Sequence, residues 1–230
     1  MKFSRKITKL GEPLTYRRAW RRAQRLLHPI PLRSLLAQID QARLKAIQDK
    51  HASSPEFYAK YLVVPRYLKL NIRRVQDLRL HRAPPQDVLD LGSGAGFFLF
   101  VLKQYGHRVL GLDTYESSIF LDFTELLSVP RKTWTIQAFR PLPDLGRKFD
   151  WITAFSTAFH GAGMDQWRWG AKEWSFFLDD LDQHLKPGGR IFLAINPAYG
   201  GEFYTPEILD LFLSRGAAVE RENALFSARK

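Results

Sequence analysis

Residues 88–98 read Val88-Leu89-Asp90-Leu91-Gly92-Ser93-Gly94-Ala95-Gly96-Phe97-Phe98. The first four residues have the apolar character of a short buried strand, and the apolar run from Phe97 predicts a helix. Three glycines at alternate positions lie between them. Glycine adopts positive φ without a steric penalty and lets a ligand approach the backbone, so this segment predicts a tight turn. Many nucleotide-binding α/β folds share the order of strand, glycine loop and helix, so the pattern alone does not identify the ligand.

The sequence around this segment alternates strands and helices. After the glycine loop we expect helices at 95–105, 115–127, 172–185 and 205–214, together with strands at 108–112, 133–138, 150–156 and 190–195 and a strand pair within 217–229. This spacing predicts an α/β fold, a doubly wound, mostly parallel sheet with helices on both faces. Ligands of such sheets bind outside the carboxyl ends of the strands, near the topological switch point.

The segment Ala83-Pro84-Pro85 divides the chain into two parts, because proline interrupts the pattern that precedes it. Residues 1–83 predict an N-terminal helical extension or lid, and residues 84–230 predict the ligand-binding core. Within the extension, a capped start at Ser54-Pro55-Glu56 predicts a short third helix, and Pro65 opens a fourth. The apolar helical stripes comprise Tyr16, Trp20, Ala23 and Leu27, then Leu32, Leu35, Leu36, Ile39, Ala46 and Ile47, and then Leu68, Ile72 and Val75.

Composition excludes several kinds of chemistry. The chain has no cysteine, which removes disulfides, thiolate zinc sites, iron–sulfur clusters and cysteine nucleophiles. Its histidines lack the spacing of metal ligands, so no metal site is predicted. The longest apolar run, 97–102, is far shorter than the roughly 20 residues of a membrane-spanning helix. The basic N-terminus lacks the apolar stretch of a signal peptide, and we expect a cytoplasmic protein.

Charge is concentrated at the N-terminus. The formal net charge is +12, and residues 1–33 contain ten lysines or arginines but one acidic residue, Glu12. This distribution predicts either contact with an anionic membrane surface or RNA, or a solvated lid.

Two features sharpen the interpretation of the glycine loop. The second predicted strand ends at Asp113, and an acid at about this distance from the loop can accept hydrogen bonds from a ribose diol. The segment Leu185-Lys186-Pro187-Gly188-Gly189 ends a helix and turns into a strand. A dinucleotide dehydrogenase is disfavoured, because its fingerprint places glycine where this chain has Phe97.

With these three features the sequence resembles the class I S-adenosylmethionine-dependent methyltransferases, over residues 86 to about 229. Members of that family have an acid followed by G-x-G-x-G, an acid ending the second strand and an L-K-P-G-G turn before the fifth. The resemblance implies a seven-stranded Rossmann-like sheet whose last strand is antiparallel, with S-adenosyl-L-methionine as cofactor. It implies that the cofactor contacts Asp90, Gly92, Ser93, Gly94, Gly96, Phe97, Asp113, Thr114, Ala138, Phe139 and Ser156.

The resemblance also implies distinct roles for some of these residues. The loop would hold the methionine moiety, Asp90 would fix the loop or contact the amino group, and Asp113 would accept the ribose diol. Ala138 and Phe139 would flank the adenine. Many relatives have an acid at that position, and this chain has none.

The reaction expected from the resemblance is methyl transfer, in which the protein supplies alignment. If the acceptor must lose a proton, His160 is the candidate base, because it follows the fourth strand and imidazole titrates in the useful pH range. A solvated loop histidine is an equal alternative. We expect a small-molecule acceptor first and RNA second. The third hypothesis is a protein that binds the cofactor without catalysis.

Overall fold

Seven strands form one sheet in the computed structural model, which describes residues 13–53, 59–114, 117–157, 169–197 and 201–227. The strand order is β3-β2-β1-β4-β5-β7-β6. The first five strands pair in parallel, whereas β7 is antiparallel to both β5 and β6. The strands are β1 Asp87–Leu91, β2 Arg108–Asp113, β3 Arg131–Thr133, β4 Phe149–Thr157, β5 Leu185–Ile195, β6 Ala218–Glu220 and β7 Asn223–Ser227. The expected seven-stranded, mostly parallel sheet is confirmed.

Helices cover the sheet on both faces. In the described residues the α-helices are α1 Pro13–Leu27, α2 Leu32–Leu36, α3 Gln41–Lys50, α4 Val64–Asp77, α5 Phe97–Lys103, α6 Ser118–Leu126, α7 Ala171–Gln183 and α8 Pro206–Ser214. Single 3-10 turns occur at Lys60–Leu62 and Leu80–Arg82. None of these described helices combines the length and apolar character needed to cross a membrane.

Alternation along the strands separates two hydrophobic cores. In β1, Val88 packs with α2 to α6, whereas Leu89 points to the other face and packs with α7 and α8. This is the period-2 geometry of a strand that is buried on both faces, and every residue of β1 is buried.

The N-terminal helices belong to the first of these cores. Leu68 and Val75 of α4 are fully buried and cluster with residues of α5 such as Leu99 and Leu102. Helices α2, α3 and α4 therefore share a hydrophobic core with the sheet.

The third strand differs from its prediction. It covers Arg131–Thr133, whereas the sequence pattern predicts 133–138. The only strand that pairs with β3 in the described sheet is β2, which ends at Asp113. Trp134 donates its N–H to the Asp113 carbonyl at 2.8 Å, and the residues beyond it have no neighbouring strand. Residues 134–138 therefore do not form the predicted strand.

The first helix also differs from its prediction, because two residues of its apolar stripe are exposed. Trp20 is 55% exposed and Leu27 is 67% exposed. Instead, α1 is attached by polar contacts: Arg25 Nε lies 3.0 Å from Asp77 Oδ1, Arg21 pairs with Glu220, and Gln76 donates to the carbonyl of His28 at 2.9 Å. The third helix predicted at Ser54-Pro55-Glu56 begins outside the described residues.

We predict that Leu68→Ala lowers the free energy of unfolding by about 2–5 kcal/mol, because it leaves a cavity at a fully buried site. Urea unfolding would show a single transition that shifts as a whole, since α4 shares its core with the sheet. Leu26→Ala, at a position 75% exposed, is the control and should change stability by less than about 0.5 kcal/mol. Separate transitions for the extension and the sheet would contradict the shared core.

Candidate functional site

A cavity of about 470 Å³ opens at the carboxyl ends of β1, β2 and β4, within the size range of small-molecule sites. The glycine loop forms one side and α4 forms the opposite side. It is lined by Lys60, Tyr61, Tyr67, Leu70, Asn71, Arg74, Asp90, Gly92, Ser93, Gly94, Ala95, Gly96, Phe97, Phe98, Asp113, Thr114, Ser117, Phe120, Phe155, Ser156 and Thr157.

The three loop glycines have positive φ but different surroundings. A Cβ at Gly92 would lie 2.6 Å from Thr157 Oγ1, and a Cβ at Gly96 would lie 3.3 Å from Val129 Cβ. At Gly94 the nearest atom would be 3.8 Å away, on Phe120. Gly92 and Gly96 are thus required by packing as well as by φ, whereas the space beside Gly94 remains open toward the cavity that it lines.

Asp113 holds the loop in place through its carboxylate. One oxygen accepts the Gly94 N–H, and the other accepts the Thr114 N–H at 2.8 Å. The Gly92 N–H donates to the Leu112 carbonyl at 2.7 Å. The loop is therefore tied to the end of β2. A carboxylate offers about four lone-pair positions, so Asp113 retains acceptor capacity for a ligand.

Asp90 is a buried acid at the base of the cavity. It is 4% exposed, and Thr153 Oγ1 donates to its Oδ1 at 2.7 Å. Burial raises the pKa of the Asp90 carboxyl to about 7, and the charge of Asp113 adds to this rise. The Thr153 hydrogen bond and the Arg74 charge act in the opposite direction.

Arg74 brings a cation from α4 into the same cavity. Its guanidinium donates to Asn71 Oδ1 at 3.0 Å and lies 4.4 Å from the centre of the Phe155 ring. Burial lowers the pKa of this guanidinium, while the nearby Asp90 charge opposes that shift. Arg74 thus places a cation on the wall of the cavity beside Asp90, whose carboxyl ionises only near pH 7.

Aromatic rings line the cavity beside the loop, and two of them, Tyr61 and Tyr67, come from the extension. Tyr61 lies 4.5 Å from Tyr67 and 4.9 Å from Phe120, measured between ring centres. Tyr67 also stacks on Phe97, which follows the glycine loop, at 6.0 Å. These rings offer flat apolar surfaces to a ligand.

Residues 89–193 match the family described as methyltransferase domain. This segment begins in β1 and ends in β5, so it contains the loop, Asp113 and the strands around the cavity. The match covers a little less than half of the chain, and this segment resembles the class I S-adenosylmethionine-dependent methyltransferases. S-adenosyl-L-methionine is the cofactor of this family.

One solved structure, that of DesVI, shares the fold, and two solved methyltransferases are more distantly similar. DesVI of Streptomyces venezuelae is 16% identical with a TM-score of 0.53, and the match covers 78% of this chain and 98% of that chain. A structure of CalS10 with the cofactor bound, an amino pentose methyltransferase from Micromonospora echinaspora, is 22% identical with a TM-score of 0.42. That match covers 62% of this chain and 53% of CalS10. The glycopeptide N-methyltransferase MtfA is 19% identical with a TM-score of 0.40, and the match covers 54% of this chain and 53% of MtfA. No curated protein sequence matches the chain.

Most residues assigned to the methyltransferase cofactor from the sequence come together at this cavity. Its lining includes Asp90, Gly92, Ser93, Gly94, Gly96, Phe97, Asp113, Thr114 and Ser156. Ser93 directs its hydroxyl toward Gly111, where an added Cβ would lie 2.5 Å from Ser93 Oγ. Ser156 has a positive φ of 56°, a strained conformation for a residue with a side chain.

Three predicted residues are not placed at the cavity. Ala138 and Phe139 are absent from its lining, and Phe139 is 55% exposed with its ring 5.8 Å from that of Phe176. Their contact with adenine stays a prediction. His160 lies outside the described residues, and its role as a base stays a prediction as well. Within the part of the chain that is described, no cluster of histidine, aspartate and glutamate could hold a metal ion.

Sequence reasoning missed the contribution of α4 and the turn before it. Arg74, Tyr61 and Tyr67 line the cavity, although they precede the glycine loop by about 20–30 residues. Arg74 lies on a different face of α4 from the buried Ile72 and Val75, so the apolar pattern gave no signal for it, and an arginine in a basic extension is easily taken for a solvated side chain.

We predict that Asp90 makes stability depend on pH. Its folded pKa of about 7 lies above the ordinary value of 3.8, so between these values the folded state holds a proton that the unfolded state has lost. The free energy of unfolding should therefore fall as pH rises from 5 to 7, by about 1 kcal/mol per pH unit, and level off above pH 7. Urea unfolding at pH 5, 6, 7 and 8 measures this slope.

Asp90→Asn should remove this contribution to the slope, because the amide does not titrate. Asp49→Asn is the matched control at a side chain that is 63% exposed, and it should keep the wild-type slope. An Asp90→Asn protein with the same pH dependence as the wild type would show that Asp90 is ionised throughout this range.

Proposed function

We propose that this protein binds S-adenosyl-L-methionine in the 470 Å³ cavity and transfers its methyl group to a small-molecule acceptor. The observation that carries the proposal is the joint position of the glycine loop and Asp113, which line one cavity at the carboxyl ends of adjacent strands. That is the place where sheets of this topology bind their ligands.

The charges along the cavity match the charges of the proposed cofactor. The remaining lone pairs of Asp113 accept the ribose diol, and the open space beside Gly94 admits the chain that joins ribose to sulfur. Arg74 is a cation, and Asp90 becomes an anion when its carboxyl ionises at a pH above about 7, so the two side chains offer partners for the carboxylate and the ammonium of the methionine end. Arg74 would hold that carboxylate and Asp90 would face the ammonium.

When bound, the cofactor supplies an electrophilic methyl group on a sulfonium. Transfer of that methyl group to the lone pair of an acceptor atom would leave the carbon–sulfur electron pair on sulfur, and an acceptor that carries a proton would release it to a base. The protein contributes alignment through rigid walls such as Phe155 and the tied loop. We propose His160, three residues after the end of β4, as the base that takes the proton.

We predict that Asp113→Ala weakens cofactor binding by about 10- to 150-fold, because a charged acceptor for the ribose diol is lost. Calorimetric titration with S-adenosyl-L-methionine measures the change. Asp113→Asn retains one carbonyl oxygen for the Gly94 or Thr114 N–H, so it should lose less cofactor affinity than Asp113→Ala. The difference between the two variants separates the support that Asp113 gives to the loop from its direct contact with the cofactor. Asp49→Ala is the exposed control. A wild-type protein that does not bind the cofactor would refute the proposal.

Formation of S-adenosylhomocysteine tests methyl transfer. We expect product when the protein and cofactor are incubated with small amines and alcohols, and none with total RNA. Product with RNA alone would favour a nucleic-acid methyltransferase that uses the basic residues 1–33. Tight cofactor binding without product from any acceptor would favour a cofactor-binding protein without catalysis.

A further inference from the structure

A second cavity, of about 730 Å³, lies beside the first. It occupies the sheet face over β5, β7 and β6, between α4 and α1. The two cavities share four lining residues, Leu70, Arg74, Phe155 and Ser156. One of these, Leu70, is 41% exposed, so the shared wall is open to solvent rather than packed shut.

The floor of the second cavity is apolar and incompletely covered by the fold. On β5, Ile191 and Leu193 are buried beneath α7 and α8, whereas Phe192 and Ala194 on the opposite face are only half-buried. Leu225 of β7 repeats the pattern. Within the described residues, the face that contains Phe192 and Leu225 thus has a helical layer over β1 and β2 but an uncovered apolar area over β5 and β7. This cavity has the size and the apolar lining of a small-molecule site.

The charged residues around this floor favour a cation over an anion. Carboxylates come from Asp77, Glu220 and Glu222, and guanidinium groups from Arg21 and Arg74. The formal charge of the lining is therefore negative, although the whole chain carries +12.

Most of these carboxylates have a cationic partner already. Asp77 pairs with Arg25 at 3.0 Å, and Glu220 pairs with Arg21. Glu222 Oε2 lies 3.7 Å from Arg221 Nε and accepts no hydrogen bond from the described residues, although 40% of the side chain is exposed. A buried carboxylate oxygen without a hydrogen bond is costly and attracts a donor. Among the three carboxylates of the lining, Glu222 is therefore the one with a buried oxygen that lacks a hydrogen bond from the described residues.

We propose that the second cavity binds the methyl acceptor, and that the acceptor is an apolar molecule of low molecular weight bearing a cationic amine. This inference rests on the proposed function. The apolar body lies on the floor formed by Phe192, Ala194 and Leu225, and the amine donates to Glu222. The atom to be methylated faces the shared wall at Ser156, next to the methyl donor in the first cavity.

The arrangement gives α1 a defined role as one side of the acceptor site. Arg21 lines the cavity and joins α1 to β6 through Glu220, and Arg25 joins α1 to α4 through Asp77. These two ion pairs connect the helix to both edges of the cavity. They also neutralise part of the basic charge that the sequence alone associates with an anionic partner.

A matched set of fluorescent probes tests this proposal: 1-naphthylethylamine, naphthalene-ethanol and naphthalene-acetate, which share a ring and differ in charge. Binding is measured by fluorescence titration with S-adenosylhomocysteine present. We expect the amine to bind at least 10-fold more tightly than the acetate. Equal or tighter binding of the acetate, or no binding of any probe at millimolar concentration, would overturn the proposal.

Two variants locate the probe. Ala218→Trp places a large ring into the second cavity from an exposed position and should weaken amine binding at least 10-fold. Ala52→Trp, at an exposed site outside both cavities, is its control. Glu222→Gln should reduce the preference for amine over alcohol while leaving alcohol binding within about 3-fold of wild type. Probe binding that neither Ala218→Trp nor Glu222→Gln changes would place the probe elsewhere and refute the site.

Cofactor affinity separates this inference from the function on which it rests. Both variants should bind S-adenosyl-L-methionine as the wild type does, because neither residue lines the first cavity. If the protein binds the cofactor normally but the probes do not bind as expected, the proposed acceptor site is refuted and the proposed function stands. If the wild-type protein does not bind the cofactor, the proposed function is refuted instead.

Discussion

The site depends on the close contact between the glycine loop and the end of β4. Gly92 lies so near Thr157 that a single methyl group would overlap the threonine side chain, and the Thr157 hydroxyl donates to the Leu91 carbonyl at 2.9 Å. This contact sets where the loop leaves β1. Asp113 then fixes the next turn of the loop through the Gly94 N–H. The shape of the cavity follows from these two contacts between neighbouring strand ends.

The glycines therefore act mainly through the fold, and only Gly94 leaves open space. The usual argument for such loops is that glycine lets a ligand approach the backbone. Here the N–H groups of Gly92, Gly94 and Gly96 already donate within the protein. A ligand at this loop meets a surface of fixed shape rather than a set of free donors. Its charged groups must therefore be recognised by side chains, and Lys60, Arg74, Asp90 and Asp113 line the same cavity.

The sequence was sufficient for features that depend on local order along the chain. The buried strand, the glycine loop and the acid at the end of β2 are each contained in a few residues, and parallel pairing brings the last two together. Features that depend on distant contacts were out of reach. Arg74 enters the cavity because α4 packs on α5, and Phe139 lies apart from the cavity lining because β3 stops where β2 ends. The apolar stripe of α1 did not predict how this helix packs, because ion pairs from its described side chains connect it to α4 and β6.

The basic extension shows why net charge is a poor guide to a partner when the fold is unknown. Ten basic residues within 33 favour a polyanion when they are read as a solvated patch. In the structure, Arg21 and Arg25 are engaged by Glu220 and Asp77, and Arg74, also from the extension, is turned inward toward Asp90. A cation engaged in this way contributes to the position of a helix and to the lining of a cavity, and it is not available to a phosphate backbone. The formal charge of the second cavity's lining is consequently opposite in sign to that of the chain as a whole, whereas the acidic and basic residues that line the first cavity balance.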